Sequence, residues 1–255
     1  MKLKDFGKTT RKEFRGRRKS DKIEEAREHK VTFQELFDAS EVFEEDPDSS
    51  SDAWVTARRF VNWENLHNLQ TEEVKHRIIG FLNKWHCRLP STDKLTESIK
   101  ETYRSTLPFL KALEGETLQD FQFEKRTEVE GKEYSNEEIL NKIFASFCRI
   151  GDNFRGVATS KFLSLINPHL FVMWDTPICE AYGIESPSDP YARDKQYVPR
   201  FFPLMKQKAN DAIASYMKEK KCSRSEAMQA INSFRKWRPL AKLLDEYNWV
   251  TYSQE

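Results

Sequence analysis

Two ionisable side chains, Lys161 and Asp175, lie in the most apolar region of the chain, GVATSKFLSLINPHLFVMWDTPI (156–178). A lysine among apolar side chains has a lowered pKa, and its neutral amine can then act as a nucleophile. A carboxylate kept from bulk water can stabilise positive charge in a transition state or accept a proton from an attacking group. The ordinary alternatives are a surface lysine on a core helix and an aspartate that only caps a helix.

The residues around this pair predict two helix starts separated by a chain reversal. A short helix over 161–166 begins with Thr159 or Ser160 as its cap, and the Asn-Pro pair that follows ends it. The apolar run 169–174 is too short for a helix of its own. Asp175, followed by Thr-Pro, is typical of an N-cap and a first helical turn. The free backbone amides at the first of these helix starts can bind a phosphate.

This layout resembles the helix-hairpin-helix DNA glycosylase superfamily, whose members carry a hairpin L-P-G-V-G-x-K-T-A and, downstream, V-D-T-H or a similar motif. Gly156-Val157-Ala158 corresponds to the G-V-G turn, Ser160 or Lys161 to the lysine, and Trp174-Asp175-Thr176 to V-D-T. The pattern S-K-x-L-x-x-x-x-P-x-x-F-x-x-W-D is similar to divergent bacterial members, some of which resemble anti-phage glycosylases that remove modified, glucosylated pyrimidines. The chain departs from the pattern in the second glycine, in the lysine register and in a shorter lysine-to-aspartate interval.

The resemblance implies excision of a modified base from double-stranded DNA, including modified phage DNA, with Asp175 and Lys161 as the catalytic residues. Breaking an N-glycosidic bond builds positive charge on the deoxyribose, which an ionised carboxylate against the sugar stabilises. In the family the lysine, when present, is the nucleophile. Because the lysine register is shifted here, we expect water to attack and the base to be released without strand cleavage, as in a monofunctional glycosylase.

The resemblance also implies where DNA binds. We expect the hairpin to contact DNA through Arg155, Gly156, Ala158, Thr159 and Ser160. An enzyme of this class takes its target nucleotide out of the base stack, and aromatic side chains form the receiving pocket. The candidates for that base pocket are Trp63, Trp85 and Trp174.

The N-terminal region is strongly basic, with ten Lys or Arg against three acids over residues 1–22. Such an arm can neutralise DNA phosphates through Arg15, Arg17 and Arg18. It can equally be a solvated tail or a contact to the acidic segment 41–52, which carries six acids and no base. We expect residues 1–30 to form a partly disordered arm that becomes helical through KIEEAREH.

Helical periodicity dominates the rest of the chain, over 31–43, 54–81, 95–113, 135–150, 197–220 and 223–237. Ser135 with Glu138 and Ser223 with Glu226 have the spacing of capping boxes. The alternating stretch 121–135 contains a glycine and predicts a short hairpin or an irregular loop. We therefore expect a mainly α protein of two helical subdomains, with the helix-hairpin-helix-like motif at the cleft between them. The pattern also allows one small β-hairpin.

Residues 31–255 are expected to form this single globular unit, with the hairpin and catalytic segment at 153–182. PDSSSD (47–52) predicts a linker or loop. The Asp245-Glu246 pair, in a C-terminal helix, is interpreted as part of a solvated face.

Composition excludes several other classes. Four widely spaced cysteines lack the ligand spacing of a zinc or iron–sulfur site, so we expect reduced thiols, no metal and no cofactor. No Gly-rich phosphate loop occurs, which argues against a nucleotide-binding α/β fold. No apolar run approaches the roughly 20 residues of a membrane span, and the N-terminus lacks a signal-like apolar stretch. We expect a cytoplasmic protein with no membrane partner.

Two alternatives to an enzyme keep the same helical fold. The first is a non-catalytic DNA-binding module or partner subunit in which Asp175 is only a cap. The second is a helical adaptor whose basic arm binds an acidic protein.

Overall fold

The computed structural model describes residues 19–46, 51–60, 66–151, 153–184, 190–234 and 238–253. The predicted DNA contacts Arg15, Arg17 and Arg18 and the predicted pocket residue Trp63 lie outside these ranges, so their roles stay predictions. The described elements are, in chain order, α1 (Lys19–Glu28), α2 (Phe33–Glu45), α3 (Ser51–Phe60), a 3₁₀ turn (Leu66–Asn68), α4 (Thr71–Val74), a π-helical segment (Lys75–Ile79), α5 (Gly80–Lys84), α6 (Asp93–Ala112), β1 (Arg126–Val129), β2 (Lys132–Ser135), α7 (Asn136–Cys148), α8 (Gly156–Ile166), α9 (Thr176–Ala181), α10 (Pro190–Asp194), a second π-helical segment (Tyr197–Phe201), α11 (Phe202–Lys220), α12 (Arg224–Phe234), α13 (Leu240–Asn248) and a third π-helical segment (Trp249–Ser253).

The fold is mainly α with one two-stranded sheet, which confirms the predicted class. Strands β1 and β2 are antiparallel, with Val129 opposite Lys132. The two residues between them, Glu130 and Gly131, both have positive φ, 51° and 78°. A two-residue hairpin turn with φ positive at both positions matches the right-handed twist of the strands. The stretch 121–135 therefore contains a hairpin, and the alternative of an irregular loop throughout is wrong.

Both predicted capping boxes are present. Ser135 Oγ accepts from the Glu138 amide at 3.2 Å, and Glu138 Oε2 accepts from the Ser135 amide at 2.7 Å. Ser223 and Glu226 make the same reciprocal pair, at 3.3 and 2.8 Å. These bonds satisfy amides that have no partner inside the helix, and so they set the starts of α7 and α12.

Helix α8 begins at Gly156, five residues earlier than the expected helix over 161–166. Its N-cap is Arg155, so the expectation that Thr159 or Ser160 caps this helix is wrong. Ser160 lies inside the helix, where its Oγ accepts from the Trp174 amide at 3.2 Å. The hydroxyl thereby joins α8 to the segment that leads to Asp175.

The segmental predictions at the N-terminal end are partly confirmed. The KIEEAREH stretch (22–29) is helical within α1 except for its last residue, His29, which follows the helix. Helix α3 begins at Ser51, so the last two residues of the expected loop 47–52 are helical, and the first four lie outside the described residues.

None of the described helices combines the length and the apolar character that a membrane span needs.

The buried apolar side chains of the described residues form one continuous cluster. Phe171 to Trp174 cross this cluster outside any helix or strand, each at most 2% exposed, after the turn at 168–170 that follows α8. Trp174 packs edge-to-face against Phe144 and Tyr197. This path brings the chain from the core to the start of α9.

The division into two subdomains stays a prediction.

Candidate active site

A cleft of about 850 Å³ brings together residues that are far apart in the sequence. Its walls include the two predicted catalytic residues, Lys161 and Asp175, and two of the three predicted pocket residues, Trp85 and Trp174. Asp245, from helix α13, is also in the wall. The predicted residues are thus close together around one concave surface, although their catalytic and base-binding roles remain predictions.

Asp175 is the N-cap of α9, as the sequence predicts. Its Oδ1 accepts from the Ile178 amide at 3.0 Å. The hydroxyl of Ser253, in the third π-helical segment, lies 2.9 Å from Oδ2 and 3.1 Å from Oδ1. The carboxylate is half-buried, and the partial positive charge of a helix N-terminus attracts it. Two bonds from opposite directions therefore orient this carboxylate on the cleft wall.

Lys161 is only 8% exposed, so the alternative of an ordinary surface lysine is wrong. Its Nζ donates to the Trp85 carbonyl at 2.7 Å and lies 5.7 Å from the centre of the Trp85 ring. Helix α8 supplies the lysine, and the residue after α5 supplies the acceptor. The Lys161 Nζ is therefore held at the cleft wall by the carbonyl of Trp85 and by the face of the Trp85 ring.

Sequence analysis missed Asp245 as a site residue. It is 4% exposed, and Lys242 Nζ lies 2.5 Å from its Oδ2. Burial raises the pKa of Asp245 above its usual range, while Lys242 and, more weakly, Lys161 lower it and Asp175 raises it. This second carboxylate lines the same cleft as both predicted catalytic residues.

The interpretation of Asp245 and Glu246 as a solvated face is wrong. Glu246 is fully buried, with Arg238 Nε 3.2 Å and Lys242 Nζ 3.8 Å from its Oε1. Burial raises the pKa of Glu246, and the two cations act in the opposite direction. Buried carboxylates are tolerated only beside cationic partners such as these, so Asp245 and Glu246 belong to an internal ion network and not to a solvated surface.

Three aromatic rings surround the ammonium of Lys242. Its Nζ lies 4.6 Å from the centre of the Phe43 ring, 4.7 Å from Trp85 and 5.5 Å from Trp54. Cation–π attraction in a site shielded from water offsets part of the cost of burying the charge. Trp85 therefore contacts two lysines, one at the cleft wall and one beneath it.

Part of the cleft rim is basic and locally strained. Lys84, His86 and Arg88 are exposed and line the cleft. His86 and Arg88 have φ of 61° and 52°, a left-handed conformation that non-glycine residues adopt rarely and at a cost. The Asn83 side chain holds the loop by bonding both the amide and the carbonyl of Leu89, at 2.6 and 2.9 Å. Strain of this kind is concentrated at functional sites.

The burial of the predicted hairpin residues contradicts direct DNA contact by most of them. Thr159 and Ser160 are 0% exposed, Ala158 is 2% exposed, and Gly156 is also buried. A Cβ at Gly156 would lie 2.3 Å from Oδ1 of Asp194, a residue that is itself 4% exposed.

The anion at the start of α8 is thus a carboxylate of the chain itself, which takes the place expected for a DNA phosphate. Arg155, the remaining predicted contact, is half-buried.

Trp85 and Trp174 differ as pocket walls. Trp174 is fully buried and belongs to the core as much as to the cleft, whereas Trp85 is 8% exposed. The indole Nε1 of each has no hydrogen-bond partner among the described residues. Both nitrogens are buried, so the two indoles line the cleft with their apolar ring surface.

Within the described ranges, no group of three or more His, Cys, Asp and Glu side chains is arranged to hold a metal ion. The functional assignment depends on the cleft itself, because comparisons of this chain with protein-family models, with curated proteins and with solved structures found no match.

Proposed function

We propose that this protein is a DNA N-glycosylase that acts in the cytoplasm on double-stranded DNA, excises a modified base and leaves an abasic site. The observation that carries the proposal is the position of Asp175, oriented by a helix start and by Ser253 in the wall of a cleft of about 850 Å³ that Trp85 and Trp174 also line. Ligand sites typically have about 300–1,000 Å³.

In this mechanism the electrons of the N-glycosidic bond leave with the base, and positive charge develops on the deoxyribose. The Asp175 carboxylate, held in a fixed orientation, stabilises that charge without reorganising at the moment of reaction. A water oxygen then bonds to C1′ and gives its proton to Asp175. Ser253 acts as a positioning residue, since it donates to the carboxylate and not to the sugar.

Lys161 and Asp245 complete the electrostatics of the cleft. The negative charges of Asp175 and Asp245 repel each other, and the positive charges of Lys161 and Lys242 compensate for them. We assign Lys161 a charge-balancing role, because its Nζ is engaged with the Trp85 carbonyl, and water remains the attacking group.

Two features support a DNA substrate with a bulky base. The exposed Lys84 and Arg88 at the rim can neutralise phosphates on either side of an extruded nucleotide. A cleft of this volume has room for a pyrimidine that carries a large substituent, the substrate class that the resemblance to anti-phage glycosylases implies.

The test is an alkali-cleavage assay on DNA duplexes that contain uracil, a damaged base or a glucosylated phage pyrimidine. We expect the wild-type protein to generate alkali-labile sites on at least one of them. Asp175→Asn should lower the rate by about 10²-fold or more while the fold is retained, because asparagine also caps a helix.

Asp120→Asn, which changes an exposed aspartate paired with Arg224, is the matched control and should keep full activity. Salt-sensitive binding to all of these duplexes without any alkali-labile site would contradict the enzyme and support a non-catalytic DNA-binding module.

A further inference from the structure

We propose that a second cleft binds a small phosphorylated ligand of nucleotide size. This cleft, of about 450 Å³, is lined by Arg58 and Arg59 of α3, by Arg238 just before α13, and by His169. We refer to it as the arginine cleft. It shares no lining residue with the cleft that contains Asp175, so the proposal does not depend on glycosylase activity.

The described residues that line the arginine cleft carry a net positive charge. No Asp or Glu is among the described residues that line it. Arg238 is already paired, with Glu246 at 3.2 Å and Glu44 at 3.7 Å. Arg58 and Arg59, by contrast, have no carboxylate within ion-pair distance in the described part of the chain. The excess charge at the cleft therefore comes from these two residues.

Arg58 is the residue that most strongly indicates an anionic ligand. It is half-buried, and burial lowers the pKa of its guanidinium. The only acceptor that it contacts among the described residues is the Leu165 carbonyl, near the end of α8. A guanidinium has five N–H donors in a planar fork that suits a phosphate, and a partly buried cation with unused donors is costly. A ligand phosphate would supply both the charge and the acceptors.

The other polar groups of the cleft can bind without adding charge. The pKa of His169, which is exposed at the cleft, is lowered by partial burial of its ring and, second, by Arg58, which favours the neutral imidazole that can both donate and accept. Asn232 provides an amide on the wall. The apolar part of the wall includes Trp54 and the prolines at 168 and 239. This combination of cations, neutral polar groups and apolar surface fits an organic phosphate better than a bare inorganic ion.

A neighbouring cleft offers a site for the apolar part of the ligand. It has about 410 Å³ and shares Arg58, Pro168 and His169 with the arginine cleft. Its wall includes the apolar residues Leu110, Leu113, Ile166 and Phe171 and also two acidic residues, Glu114 and Glu116, whose carboxylates can accept hydrogen bonds from a base or a sugar hydroxyl. A phosphate at Arg58 and Arg59 would therefore place a base or another flat group against this second wall, which is why we assign a ligand of nucleotide size.

Isothermal titration calorimetry with adenosine 5′-monophosphate tests the proposal. Adenosine and inorganic phosphate, which represent the two halves of the nucleotide, are titrated for comparison. We expect the nucleotide to bind with a Kd below about 1 mM, and each half to bind at least tenfold more weakly. Arg59→Gln should weaken nucleotide binding about tenfold or more, because a charge-assisted contact is lost. Arg59 is exposed, so this variant should fold; Arg58→Gln should weaken binding further.

Arg88→Gln is the matched control, since it removes an exposed arginine from the rim of the other cleft, and it should leave the Kd unchanged. Three results would overturn the proposal: no binding of the nucleotide at millimolar concentration, equal binding of adenosine and the nucleotide, or a loss of affinity in Arg88→Gln but not in Arg59→Gln. If Arg59→Gln weakens binding of duplex DNA while the mononucleotide does not bind, the cleft is part of a DNA path and the small-ligand assignment is wrong.

Discussion

The hydroxyl of Ser253 lies 2.9 Å from one carboxylate oxygen of Asp175 and 3.1 Å from the other, across 78 residues of sequence. The C-terminal π-helical segment thus fixes the orientation of the carboxylate that the proposed mechanism uses. A helix cap alone would need only Oδ1, which accepts from the Ile178 amide. The second contact is what distinguishes a positioned carboxylate from an ordinary cap.

Replacing Ser253 with alanine should slow base release about fivefold to tenfold, as expected for one neutral-to-charged hydrogen bond. The thermal midpoint should change little, because the hydroxyl is only half-buried. Ser233→Ala, which removes a hydroxyl bonded to a carbonyl on its own helix, is the control. In the Asp175→Asn background, Ser253→Ala should have no further effect, since the two residues act as one unit. Additive losses would argue against positioning.

Lys161 should not form a covalent intermediate. Its Nζ donates to the Trp85 carbonyl at 2.7 Å, and this bond holds the nitrogen against the cleft wall, so that attack on C1′ would require the bond to break. Incubation with substrate DNA and sodium borohydride should therefore trap no protein–DNA adduct, as judged by denaturing gel electrophoresis. A trapped adduct that disappears in Lys161→Gln would show that the lysine is the nucleophile and that the enzyme is also a lyase.

The Lys242–Asp245 pair should be sensitive to loss of either partner. Lys242→Met or Asp245→Asn leaves a buried group without its partner and should lower the free energy of unfolding by about 3–5 kcal/mol in urea titrations. The double variant Lys242→Met with Asp245→Leu should recover much of that loss, because no unpaired charge remains.

Lys220→Met serves as the control for this pair, because it breaks an exposed ion pair with Glu219 and should leave stability unchanged. Equal effects of the exposed and buried substitutions would contradict the buried network.

Gly156→Ala should destabilise the fold by about 1–3 kcal/mol, because the new Cβ would lie 2.3 Å from Asp194 Oδ1 and 3.2 Å from the Trp174 ring. Gly80→Ala is the matched control in α5, where the Cβ would meet only the Lys75 carbonyl at an ordinary 3.5 Å. Alanine has the higher helix propensity, so this control should be stabilised by about 0.5–1 kcal/mol. Equal thermal midpoints for the two variants would argue against the tight contact at the start of α8.

Lys208 should make stability rise with pH. Its Nζ donates to the carbonyls of Ala26 and His29, and burial lowers its pKa from the usual 10.5 to about 8. Between these two values the unfolded chain binds more protons than the folded one, so this residue adds stability as the pH rises from about 8 to about 10.5. Below about pH 8 its contribution is constant, because both states are protonated.

Urea titrations of the wild type and Lys208→Met from about pH 7 to about pH 10 test this, since the difference between the two proteins cancels other titrating groups. The wild type should gain up to about 3 kcal/mol relative to the variant over the window. The comparison with the variant is needed because other groups also titrate. Burial raises the pKa of the Cys148 thiol, for example, to about 12, and this shift destabilises the fold at high pH. A difference that does not change with pH would contradict the shift.

The sequence by itself determined the features that depend on neighbours a few residues apart. The capping boxes at Ser135 and Ser223, the cap at Asp175 and the hairpin turn at Gly131 follow from local hydrogen bonding and backbone freedom, and all four are present. The helical periods followed from the same local rules.

The tertiary structure alone decided where charges are buried. Helix α13 carries Lys242, Asp245 and Glu246 at helical spacing, a pattern that indicates a solvated face, yet all nine of its residues are buried. Asp194, from a helix remote in sequence, likewise packs against Gly156 at the start of α8. Contacts between residues remote in the chain leave no local pattern, so Asp245 at the cleft wall, the contact of Ser253 with Asp175 and the arginine cleft could be found only in three dimensions.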